Sequence, residues 1–109
     1  MSNKNVYLGE FEVVVMATLV RLGEGAYGML IRQDIEERTG RSVSIGQVYA
    51  TLRRLDAKGY VATTMGEPSP ERGGRAKRFF HLEAAGAEAL ERSRRLFLGV
   101  LSDLPERPA

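Results

Sequence analysis

The chain has 109 residues, a formal net charge of +2 from 16 Lys and Arg against 14 Asp and Glu, no cysteine, no tryptophan and a single histidine. That length suits one small domain. The lack of cysteine removes disulfides, thiolate nucleophiles and Cys-rich zinc sites, and a lone His81 offers no paired-ligand spacing, so neither metal nor cofactor is expected. The longest apolar run, 13–22, is broken by Thr18 and Arg21 and falls far short of a membrane span. The first fifteen residues show no basic segment leading into an apolar run and a cleavage site, so the expected location is the cytoplasm.

Residues 7–22 form a first helix. Phe11, Val14, Val15, Leu19 and Leu22 share a helical stripe, which Val13, Met16 and Val20 widen. Three consecutive valines would also suit a strand, but about 15 residues without a turn signal is too long for one. A helix this apolar should be buried on more than one side. Gly23 to Gly28 break the pattern, and 27–39 follows as an amphipathic helix closed by Gly40.

A third helix starts at Ser44. Gln47 stands three residues on, the capping-box spacing in which the Ser hydroxyl and the Gln side chain each satisfy a free backbone N–H. Ile45, Val48, Leu52 and Leu55 make its apolar stripe, and Gly59 stops it. Residues 60–65 alternate as a short strand, 67–76 is a Gly/Pro/Arg-rich loop, and 77–82 alternates again with Phe80 and Leu82 facing inward. A last helix covers 83 to about 102, with Leu90, Phe97 and Leu104 at seven-residue steps and Val100 and Leu101 beside them.

Helix, strand, basic loop, strand is the order by which one helix enters a DNA groove with a β-hairpin wing beside it. Charge agrees with this. Residues 41–78 hold eight basic and three acidic side chains, a net +5, which leaves −3 for the rest. A solvated charged surface accounts for the division equally well. With the apolar stripe facing inward, the third helix should present Gln47, Thr51, Arg54 and Lys58, with Ser44 and Gly46 at its N-terminus. Gln can bond an adenine edge, Arg a guanine edge, and Thr a thymine methyl or a phosphate. Free N–H groups at the helix start favour a phosphate. Tyr49 belongs either to the core edge or to a phosphate. Arg72, Arg75 and Lys77 on the glycine-flanked wing suit phosphates or a narrow minor groove and supply affinity more than sequence choice.

Other chemistries find little support. Gly23, Gly25 and Gly28 spell G-x-G-x-x-G, but no Asp or Glu stands between 41 and 55, and a capped helix follows where a dinucleotide fold needs a second strand. They read as a helix–helix turn. His81 has no nucleophile elbow to serve, so the chain is not expected to be an enzyme. The last helix, about 30 Å long at 1.5 Å per residue, carries more apolar surface than a small core can cover. Self-association through Phe11, Leu90, Phe97, Val100, Leu101 and Leu104 is the economical solution, and folding back on its own core is the alternative.

The runs SIGQVYATLRRLDAKGYV, GEPSPERGGRAKRFF, HLEAAGAEAL and AYGMLIRQDIEERTG resemble PadR-type transcriptional regulators, and the resemblance spans roughly 8–90. Tyr49, Leu52 and Leu55 match the signature of the third helix, and Gly74, Arg75, Phe79 and Phe80 match the wing. Phe79 and Phe80 replace a frequent Tyr pair, and Glu83 replaces a frequent Thr. The resemblance implies a mainly α (α+β) fold with a small β-hairpin. A winged helix-turn-helix over 8–82 would carry DNA binding, and a C-terminal helix over 83–104 would carry dimerisation. It further implies a homodimeric repressor on a palindromic operator, with double-stranded DNA as partner. A small aromatic effector in an apolar pocket of Phe11, Met16, Leu96 and Phe97 would extend what some members do. Two rival functions remain at this point: a winged-helix protein-interaction module that never touches DNA, and a sensor whose main task is effector binding.

Overall fold

The computed structural model describes residues 7–67 and 76–107. Helices α1 (Glu10–Leu22), α2 (Gly28–Thr39) and α3 (Ile45–Ala57) precede strands β1 (Val61–Met65) and β2 (Arg78–Leu82), and α4 (Ala84–Leu101) closes the chain. The fold is mainly α with one small hairpin, as the sequence pattern requires. The first helix starts at Glu10 and not at residue 7, because Gly9 takes the N-cap and its N–H donates to Glu12 Oε1 at 2.9 Å.

The three N-terminal helices enclose one core of Val15, Met16, Leu19, Ile31, Ile35, Val48, Leu52 and Leu55, which Val61 and Phe80 of the hairpin complete. A polar clasp fixes α1 on α2. The Thr18 hydroxyl lies 2.9 Å from Val14 O and 3.3 Å from Asp34 Oδ2, within reach of either acceptor, and Arg21 Nε donates to the same carboxylate. Glu36 accepts the Val43 N–H at 2.9 Å, tying the end of α2 to the entry of α3.

The hairpin pairs antiparallel in the register Val61↔Leu82 to Met65↔Arg78. Beyond the expectation, β2 has a neighbour on its other edge: Phe80 N–H donates to Ala26 O at 2.8 Å, and Tyr27 bridges Phe79. The glycine-rich turn after α1, with a 3₁₀ turn at Gly23–Gly25, therefore does more than connect helices, since it anchors the hairpin.

Tyr60 is the junction of three elements. Its N–H donates to Leu55 O of α3, and its C=O accepts the Glu83 N–H at the start of α4. Gly59 makes the turn into it at φ 80°, a left-handed conformation that favours glycine. Gly86 lies directly on the Tyr60 carbonyl, so close that a Cβ there would collide with backbone. Among the described residues no helix is long and apolar enough to cross a membrane.

Candidate nucleic-acid interface

Ser44 starts α3 as expected: its hydroxyl accepts the Gln47 N–H at 3.0 Å, which is one half of the expected capping box, and the Gln47 side chain makes no return bond among the described residues. Val48, Thr51, Leu52 and Leu55 are the buried residues of α3. Thr51 is 1% exposed, which corrects its expected place on the outward face. Residues turn about 100° per position, so the centre of the buried side lies between Val48 and Leu55, and Thr51 falls within that side. The opposite face consists of Gly46, Ala50, Arg53 and Ala57. Gln47 and Arg54 flank it on one side, and Tyr49 and Asp56 on the other. Arg53, not among the expected contacts, is thus the outermost cation of the helix, and it makes no ion pair among the described residues. The burial of Thr51 is what shifts the face, and residue polarity had concealed it.

Arg54 and Lys58 run along the flank that meets α1. Glu12 stands there with a side chain only 10% exposed. Its Oε2 accepts from Lys58 Nζ at 2.9 Å and lies 3.8 Å from Arg54 Nε. Arg54 Nη2 also donates to Thr51 Oγ1 at 3.1 Å. Burial pushes the Glu12 carboxyl up, but the Gly9 N–H and the Lys58 and Arg54 cations outweigh it and hold the carboxyl below its ordinary value.

At the root of the wing, the Lys77 ammonium sits 3.9 Å from the centroid of the Tyr27 ring, which meets Phe79 edge-on. Tyr49 leans over Gly28, where any Cβ would collide with its hydroxyl, and its ring lies 6.2 Å from that of Phe80. Tyr49 thus packs at the core edge and is 37% exposed. Arg78 is exposed on β2. His81 is exposed opposite Ala62, with Nε2 3.4 Å from Glu83 Oε2. Arg72 and Arg75 lie outside the described residues.

The helix expected to dimerise divides in two. Gly86, Ala89 and Ser93 are buried, whereas every residue from 94 to 107 is exposed. Phe97, Val100, Leu101 and Leu104 are 43–63% exposed. At 100° per residue Phe97, Val100 and Leu101 continue the buried Gly86–Ala89–Ser93 face past the edge of the core, and Leu104 follows just after the helix ends. Leu96 is 40% exposed on one side of the same face, and Leu90 is half-buried. Phe11 is half-buried with the Arg41 guanidinium 5.7 Å above its ring. Met16 is fully buried among core side chains, which corrects its expected place in an effector pocket. In an all-round apolar helix, sequence alone does not separate the inner face from the outer.

Residues 16–92 match the transcriptional regulator PadR-like family. No curated protein matches the chain. Among solved structures, a PadR family transcription regulator from Clostridium difficile superposes with a TM-score of 0.73 at 18% identity, over 86% of this chain and 93% of that one. A PadR-like transcriptional regulator from Bacillus cereus gives 0.69 at 22% identity, over 84% of each chain. A winged-helix DNA-binding protein from STIV gives 0.69 at 18% identity, over 91% of this chain and 99% of that one. The hairpin beside a capped, cationic α3 is thus the winged helix of such proteins, and the chain belongs to the PadR-like family of transcriptional regulators, DNA-binding proteins and not enzymes.

Proposed function

We propose that the chain is a repressor that binds a palindromic operator as a homodimer and acts by occupying promoter DNA. The observation that carries this reading is the α4 face, which is buried as far as Ser93 and continues as bare apolar surface through Leu104. At 1.5 Å per residue, α4 runs about 12 Å beyond Ser93, and water does not favour leaving that stripe open. A second α4 is its natural cover. The groove of about 370 Å³ beside it, between Ala17 and Val20 of α1 and Leu90 of α4, extends the same surface.

In this reading residues 8–82 bind DNA and 83–104 dimerise. The first turns of α4 also belong to the core of the DNA-binding part. Gln47, Arg53 and Arg54 read the groove, while Ser44, Tyr49, Lys77, Arg72 and Arg75 hold phosphates or the minor groove. A small aromatic effector would sit where two copies meet, against Phe11, Leu96 and Phe97, and would raise the melting temperature on binding.

Selection of bound duplexes from a random pool, followed by footprinting, tests the proposal. It expects two inverted half-sites about one helical turn, ~34 Å, apart. A single asymmetric half-site bound by monomer would refute it. Salt-dependent binding with no preference over random duplex would favour the protein-interaction module instead.

A further inference from the structure

We propose that Glu12 and Thr51, neither of which reaches DNA, are positioning residues that hold the Arg54 guanidinium in one orientation for base recognition. The inference rests on the reading of α3 as the groove helix. Four observations carry it. Glu12 is a nearly buried carboxylate on a different helix, and its Oε2 faces both Lys58 Nζ at 2.9 Å and Arg54 Nε at 3.8 Å. Its other oxygen is fixed by the Gly9 N–H, so the carboxylate is anchored to the backbone that starts α1. Thr51 is buried, yet its hydroxyl accepts from Arg54 Nη2. Arg54 itself keeps a side chain 56% exposed.

A guanidinium has five N–H donors in a planar fork. The Nε edge faces Glu12, and one hydrogen of Nη2 is given to Thr51. Both hydrogens of Nη1 and the second of Nη2 have no partner among the described residues, and one Nη1 hydrogen with that Nη2 hydrogen makes the end-on edge that can contact a base in bidentate fashion. A long side chain held on two sides loses less rotamer freedom when that contact forms. The neighbouring Lys58 shares the same carboxylate, so Glu12 also withholds one cation from indiscriminate phosphate contact.

The experiment compares full-length wild type with Glu12→Gln, Thr51→Val, Thr51→Ser and Arg54→Ala, and with Glu12→Gln and Thr51→Val each combined with Arg54→Ala. Each is titrated with the selected duplex, with its single-base-pair variants and with random duplex, over a range of salt. Arg54→Ala locates the base pair that Arg54 reads. At that pair, Glu12→Gln and Thr51→Val should each lower discrimination by about tenfold, the scale of one bidentate contact. Neither should add to the loss in an Arg54→Ala background. Thr51→Ser, which keeps the hydroxyl, should restore what Thr51→Val loses. Glu12→Gln should also steepen the salt slope by releasing Lys58 to phosphate.

Unchanged discrimination at the Arg54 base pair in Glu12→Gln and Thr51→Val overturns the proposal and leaves the DNA reading of α3 standing. So does a loss spread evenly over all base pairs. If wild type shows no base preference at all, the reading of α3 fails and the proposal fails with it. Should Glu12→Gln not fold, the Thr51 pair decides, since Thr51→Val removes a hydroxyl and leaves the anchor at Gly9 untouched.

Discussion

Helices α3 and α4 have similar amphipathic patterns and opposite fates. The apolar side of α3 is covered almost throughout: Val48, Leu52 and Leu55 are at most 1% exposed, Ile45 at the helix start is half-buried, and its outer face is small or cationic. The apolar side of α4 is covered only as far as Ser93, and then Phe97, Val100, Leu101 and Leu104 lie bare. The same kind of stripe thus makes a core in one helix and an open surface in the other. What separates them is whether α1 and the hairpin are there to receive it. A pattern of apolar residues therefore says which side must be covered, and not by whom.

The contrast can be tested by one deletion made twice. Leu52→Ala should cost about 2–5 kcal/mol in denaturant unfolding, because it leaves a cavity. Leu101→Ala should change the unfolding of dilute protein by only about 0.5 kcal/mol and show its effect in sedimentation as weaker self-association. Equal stability losses in the two variants would erase the distinction. A charge sharpens it further. Phe97→Asp should abolish association in sedimentation and weaken binding to a palindromic duplex by roughly 30-fold or more, with helix content unchanged.

At the border between the two halves of α4, Gly86→Ala pushes a methyl group into the Tyr60 carbonyl and should cost about 1–3 kcal/mol in thermal or denaturant unfolding. On the outer face of α3, Arg53→Ala should cost about 1–3 kcal/mol of duplex affinity, measured by titration, with unfolding unaffected. The smallest expected effect concerns pH. The folded-state value of Glu12 lies below its ordinary 4.5, so its ion pairs stabilise fully above that pH and are lost as pH falls through the folded value. Acid unfolding of Glu12→Gln should accordingly depend less on pH below 4.5 than that of wild type.

Much of this was legible in the chain, and the reasons differ from residue to residue. Ser44 and Gly59 bound α3 because caps act locally, through one hydroxyl and one left-handed turn. The hairpin was visible because period-two alternation flanks a turn-rich loop. Thr51 was misplaced because polarity stood in for direction, although its position among Val48, Leu52 and Leu55 turns it inward. Arg53 was missed by the same error in reverse. Met16 was placed in a pocket and not in the core because every side of α1 near it is apolar, so the pattern does not mark which side faces inward. The bond from Phe80 to Ala26 was invisible, because two residues of extended chain carry no period at all. Glu12 stood out only as an exception in an apolar helix, and its partners at 54 and 58 are brought to it by tertiary packing alone.

The Tyr60 junction gives this arrangement a mechanical character. One residue, through its N–H and its C=O, joins the end of the groove helix, the first strand of the wing and the root of the long C-terminal arm, and Gly86 lets that arm lie directly on its backbone. The direction in which α4 leaves the domain is therefore set by the same residue that ends the turn after α3 and leads into β1, so a change at residue 60 or 86 bears on the groove helix, the wing and the arm together.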